Sequence, residues 1–155
     1  MADYGRDEDE WARLVDAGRA FLVERAALRT LTTYTELNAT LVRRTGLRGF
    51  DFTHAEGRAA MGHLLFLIVQ DYAADEARIA PGRPRAMLSA LVCYLNANNA
   101  GPGFYALAQE RELLGRGASA LAREKFWLDQ LQELYARHGR RRGVGAGAGR
   151  GAPVG

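Results

Sequence analysis

Cysteine and lysine each occur once in the 155 residues. A single thiol, Cys93, excludes an internal disulfide and any zinc site built from several cysteines. Long apolar runs are missing too: the longest, Leu64–Val69, has six residues. That is far short of the roughly 18 needed to span a bilayer, so no membrane partner is expected. The three histidines, His54, His63 and His138, have no carboxylate at metal-ligand spacing beside them, so no metal site is expected. Spacings typical of a catalytic triad, a carboxylate pair, a Walker loop or a dinucleotide fingerprint are absent, which predicts no cofactor and no catalytic residue. The chain is therefore read as not an enzyme. The first ten residues are acidic and polar, unlike a secretory leader, and a cytoplasmic location follows as an expectation.

What is present is the composition of one ordinary globular domain, 48% hydrophobic and 25% charged. The net charge of +3 is unevenly spread. From Arg137 onward there are five arginines and no acid, leaving 16 basic against 18 acidic side chains in the first 136 residues. The sequence pI of 9.3 thus reports on a tail. A folded body without clustered positive charge has little non-specific hold on a polyanion.

Helical signals dominate the pattern. Asp7-Glu8-Asp9-Glu10 is a capping box with negative charge over the dipole's positive end. Trp11, Leu14, Val15, Gly18, Phe21, Leu22 and Ala26 follow at helical spacing, predicting a helix over 8–29. Thr33-Tyr34-Thr35-Glu36 predicts a second helix over 34–44, stopped by Gly46. Thr53-His54-Ala55-Glu56 predicts a third, running to about Asp75, whose second half is apolar nearly all round. Residues 77–86 form a proline- and glycine-broken loop holding Arg78, Arg83 and Arg85. Met87–Leu95 is rich in strand formers and predicts a strand, and 96–103 is a turn cluster that leads into a short returning strand. A fourth helix is expected over 104–114. A fifth, capped by Ser119 and stopped by Gly139, carries Leu121, Trp127, Leu128, Leu131, Leu134 and Tyr135 on one face. Residues 140–155 are glycine-rich and lack large apolar groups, which predicts a disordered Arg/Gly-rich tail. Residues 1–7 are expected to be a disordered N-terminus and 8–139 a single mostly helical domain.

The order of helix, connection, helix, strand, turn is that of a winged helix-turn-helix. The expected fold is therefore mainly α, with a winged helix-turn-helix-like core and short strand pair flanked by long terminal helices. Thr33-Tyr34-Thr35-Glu36-Leu37, Arg58-Ala59-Ala60-Met61-Gly62 and Leu88-Ser89-Ala90-Leu91-Val92 resemble, in that order, three motifs of one family. It is the C-terminal domain of the alkylguanine DNA alkyltransferases and alkyltransferase-like proteins. The resemblance spans roughly residues 30–103. It implies that Tyr34 helps rotate a phosphate and that Arg58 takes the place of a flipped base. The family's alkyl-accepting cysteine has no counterpart: Ser89 stands there, without the flanking proline and histidine. Alkyl transfer needs an activated thiolate. Cys93, two strand repeats on among apolar neighbours, has its thiol pKa raised rather than lowered.

The expected function is thus a non-catalytic DNA-binding or DNA-associated module. Its partner is double-stranded DNA, and its contacts are Tyr34, Arg58, Arg83, Arg85, Asn98 and Asn99 on one positive face. The alternative is a helical protein–protein interaction module or small homodimer without nucleic-acid binding. It would pair through the apolar stripes of helices 8–29 and 120–138.

Overall fold

Asp7 opens the first helix because both halves of its capping box form. Its carboxylate accepts from Glu10 N at 2.8 Å, and the Glu10 carboxylate accepts from Asp7 N at 3.0 Å. In the computed structural model, which describes residues 3–94, 97 and 99–139, this helix is α1, Glu8–Ala27. It ends two residues before the expected 29, where Arg29 turns left-handed (φ 57°). Residues 3–7, expected to be disordered, are instead tied to the body. Arg6 is buried, donates to Arg48 O at 2.8 Å and Gly49 O at 3.1 Å, and stacks over the Phe50 ring at 4.4 Å. The Trp11 indole donates to Asp3 O.

After the two-residue strand β1 (Thr32–Thr33) comes α2, Tyr34–Thr45, closed by Gly46 in the left-handed region as expected. Its capping box forms by half: Thr33 Oγ1 accepts from Glu36 N, but the Glu36 carboxylate accepts from the Thr32 hydroxyl at 2.6 Å. α3 runs Ala55–Ile79, and its N-cap is His54, with no side-chain cap bond. The expected Thr53 cap is lost because the Thr53 hydroxyl donates to Asp51 Oδ1 at 2.6 Å. α3 crosses α1 at Gly18, where an added Cβ would stand 2.7 Å from Ile68 Cδ1.

The strand expected over 87–95 is a correction. Leu88–Leu91 form a 3₁₀ turn, and only Val92–Cys93 pair, as β2. Every residue from Ala86 to Cys93 is buried, so strand-forming side chains here serve a segment walled by α1, α3 and α5 rather than a pleat. β2 pairs in parallel with β1, Thr32 with Val92 and Thr33 with Cys93. The expected hairpin return amounts to a single antiparallel bridge, Cys93 to Ala100. α4 is Pro102–Glu110, shorter than expected, because the chain leaves the helix at Arg111 and Glu112 turns to positive φ. α5, Ala120–His138, has the expected Ser119 cap. It buries Trp127, Leu131 and Leu134, but Leu121 and Leu128, placed on its inner face by spacing, are exposed. The fold is mainly α. The expected tail over 140–155 lies outside the described residues.

Two buried polar groups on α5 hold the 3₁₀ turn in place. Gln130 Oε1 accepts from Met87 N at 2.7 Å while its Nε2 donates to Arg85 O, and the Trp127 indole donates to Ala90 O at 2.8 Å. At the other end of α5, Arg137 is not part of a free basic tail. Its side chain is 4% exposed and bridges Glu76 at 3.1 Å and Glu133 at 2.6 Å. Nη2 also donates to Pro84 O at 2.6 Å.

Beside it the Tyr72 hydroxyl accepts from Arg137 and is left to donate to His138 Nε2 at 2.7 Å. Burial and the Arg137 charge hold the His138 imidazole below its ordinary 6.5. The unfolded chain then takes up a proton near pH 6.5 that the folded chain refuses, so this site's contribution is full above that pH and is lost as pH falls. Thermal melts should be flat from about pH 8 to 7 and decline between about pH 6.5 and 5. His138→Gln, whose carbonyl can still accept from Tyr72, should flatten that decline. The lowered carboxylates Glu24, Asp51 and Asp75 start from ordinary values of 4.5, 3.8 and 3.8, so their losses fall at lower pH. An unchanged slope in the His138→Gln variant would place the titration elsewhere.

Candidate functional site

The parallel ladder that joins β1 to β2 continues by one residue into two rings. Tyr34 follows Thr33 and Tyr94 follows Cys93, and their ring centroids lie 4.9 Å apart. Gly101 packs beside them: a Cβ there would stand 2.7 Å from Tyr94 Cε2, closer than carbon atoms approach. Burial, the neighbouring Tyr94 and Cys93 push the Tyr34 phenol up to about 12. Tyr34 therefore stays protonated at neutral pH, and its hydroxyl is available as a donor.

This ring pair forms one side of a cavity of about 770 Å³. The first turn of α2 supplies Tyr34 and Thr35, and Phe52 comes from the connection to α3. The first half of α3 supplies Arg58, Met61, Gly62, Leu65 and Phe66. Opposite stand Phe104, Leu107 and Glu110 of α4. Ser89, presented by the 3₁₀ turn that Gln130 and Trp127 hold, also lines it. The Ser89 side chain is buried, and its Oγ has no hydrogen-bond partner among the described residues. The only charged lining residues among those described are Arg58 and Glu110, and both are exposed. Among the described residues the lining is thus mostly apolar, and its two charged side chains sit at exposed positions.

Arg58 is oriented rather than free. Its Nη1 donates to Phe52 O at 2.8 Å, which ties the start of α3 to the connection before it. Gly57 permits that approach, because a Cβ at 57 would fall far inside contact distance of the Asp51 carbonyl.

The structure brings Tyr34, Arg58 and Ser89 to one cavity. It does not bring the remaining expected contacts there. Arg83 is bonded to Glu76 at 2.9 Å, and Glu76 lies 18 residues along α3 from Arg58, about 27 Å at helical rise. Arg85 is exposed, in a backbone segment held by Gln130, and neither arginine lines the cavity. Asn99 is engaged by α4, its Oδ1 accepting from the Tyr105 hydroxyl. Asn98 lies outside the described residues. Of the six expected contacts, Tyr34 and Arg58 thus share this cavity, and Arg83 is held by Glu76 toward the far end of α3.

Two further expectations change with the 3₁₀ turn. Ser89 and Cys93 do not face the same side as alternating strand residues would. Ser89 lines the cavity, while Cys93 donates its thiol to Thr32 O at 3.4 Å and is held above its usual pKa by burial. No group of three or more metal-ligating side chains occurs among the described residues. Sequence reasoning missed the apolar wall: Phe52, Met61, Phe66, Tyr94, Phe104 and Leu107. The available signal was the third helix itself, whose small first half (Ala59, Ala60, Gly62) leaves space beside a densely apolar second half.

No family model, no curated protein and no solved structure matches this chain.

Proposed function

We propose that the chain is a non-catalytic, DNA-associated module with a winged-helix-like core that docks on DNA through the face formed by the starts of α2 and α3. One observation carries this reading. Tyr34, Arg58 and Ser89 come from three separate segments, and these are the positions where the family resemblance sets the phosphate-turning tyrosine, the base-replacing arginine and the alkyl acceptor. All three line one cavity. A base turned out of the duplex would enter that cavity with Arg58 at its rim. Transfer chemistry has no support here. A serine hydroxyl needs an adjacent base to become nucleophilic, the described lining contains no histidine, and Cys93 is buried away from it.

Fluorescence anisotropy with a labelled duplex at about 50 mM salt tests the reading. The wild-type chain should bind, and Arg58→Ala should weaken binding about tenfold, the effect of losing one good polar contact. Arg83→Ala should stay within about twofold, since that guanidinium is occupied by Glu76. Absence of binding at low salt, or an Arg58→Ala variant equal to wild type, would overturn it.

The interaction-module reading is second. α1 and α5 bury their apolar stripes in the core, and Leu121 and Leu128, seven residues apart on α5, are what favours a partner for that helix.

A further inference from the structure

The cavity is built for more than a surface contact. Its volume of about 770 Å³ falls within the range of sites that enclose a free small molecule. Its described lining includes five aromatic rings: Tyr34, Phe52, Phe66, Tyr94 and Phe104. The described lining places no charge inside, because its two charged residues, Arg58 and Glu110, are both exposed. A charged ligand would lose its hydration there without a compensating partner. Tyr34, Thr35, Tyr94 and Ser89 are the described lining residues that bear a hydroxyl, and of these Ser89, 4% exposed, is the one whose Oγ is buried without a partner among the described residues. A buried hydroxyl without a partner is costly, and a ligand hydroxyl or carbonyl would supply the missing hydrogen bond.

We propose that this cavity is a receptor site for a free, uncharged, aromatic small molecule bearing one hydroxyl or carbonyl group, and that its occupancy weakens docking on DNA. The second half rests on the DNA reading above. Ring faces of the lining hold the ligand's apolar body, and Ser89 Oγ fixes its orientation through one hydrogen bond. Tyr34 and Arg58 belong both to this lining and to the proposed DNA face. A ligand ring therefore occupies the space that an extruded base would need.

The test uses the full-length chain alone, then with DNA. Calorimetric titration with 2-naphthol and with naphthalene separates the hydrogen bond from the apolar body. The wild-type chain should bind 2-naphthol saturably, one per chain, about tenfold tighter than naphthalene. Ser89→Ala should bring the two ligands within about twofold while keeping naphthalene binding. Gly62→Phe places a ring where a Cβ meets no atom within 4 Å and should block both ligands without disturbing the core. A circular-dichroism melt of each variant confirms that it folds. No saturable binding of 2-naphthol, or a preference for it that survives Ser89→Ala, overturns the receptor site.

In the second arm, saturating 2-naphthol should weaken duplex binding by about fivefold or more, and Gly62→Phe, whose ring fills the same space, should bind the duplex about as weakly as the liganded wild type and no longer respond to 2-naphthol. Duplex binding that 2-naphthol leaves unchanged overturns the coupling alone. A chain that takes 2-naphthol and holds no DNA ends the DNA reading and the coupling together, and supports the receptor site.

Discussion

Arg137→Ala should lower the unfolding free energy by about 3 kcal/mol, seen as a lower urea midpoint at unchanged slope. The reason is the number of groups that one guanidinium serves. Nη1 meets Glu76 and the Tyr72 hydroxyl, while Nη2 meets Glu133 and the Pro84 carbonyl. Those partners lie on α3, α5 and the loop after α3, so the side chain closes one end of the domain. Glu76 is only 19% exposed, and removing the arginine leaves its charge poorly solvated. Glu133 is 31% exposed and keeps more water, which sets the expected loss at the lower end for a buried pair. Arg137→Lys should recover little of it, because an ammonium cannot reproduce a fork of bonds in two directions. Arg83→Ala removes a more exposed partner of the same Glu76 and should cost about 0.5 kcal/mol or less. Equal losses at 83 and 137 would show that burial of the guanidinium is not what matters.

The second large effect belongs to Gly57. Its Cα faces the Asp51 carbonyl so closely that even a methyl group has no room. The obstacle is backbone, so no rotamer change relieves it. Gly57→Ala should cost about 3 kcal/mol and displace the 51–56 segment. Phe52 and the carbonyl that orients Arg58 both move with that segment. The variant should therefore lose 2-naphthol and duplex binding at temperatures where circular dichroism still reports a full helical signal. Gly62→Ala, where a Cβ meets nothing, is the control and should be neutral or slightly stabilising in its helix. A Gly57→Ala variant as stable and as active as wild type would mean that the 51–57 turn adapts freely.

Local rules made much of this architecture legible. Asp7, Thr33 and Ser119 cap the helices that the spacing places after them, and Gly46 closes α2, because caps depend on neighbouring backbone alone. Legibility stopped where tertiary contact decides. Thr53 looked like a cap, but Asp51 captured its hydroxyl. Met87–Leu95 has strand-forming side chains, yet burial on all sides and the bonds from Gln130 and Trp127 set a 3₁₀ turn. Arg137 looked like the start of a basic tail, because sequence order does not show that Glu76 lies across from it. Within the site, Tyr34 and Arg58 were readable from motif resemblance. The apolar wall was not, since residues lining a cavity and residues filling a core carry the same pattern. Arg83 and Arg85 were grouped with Arg58 by charge, and the length of α3 separates them.

The pairing of Thr32 with Val92 spans sixty positions of chain yet sets the two tyrosines that follow it in step. Phase across the ladder is counted from each strand, not along the intervening chain. The exposed 81–83 turn can therefore lengthen or shorten by a residue without detuning the rings. A single deletion between Val92 and Tyr94 would throw them out of register. Drift in length is tolerated in the exposed turn after α3 and forbidden within the strands.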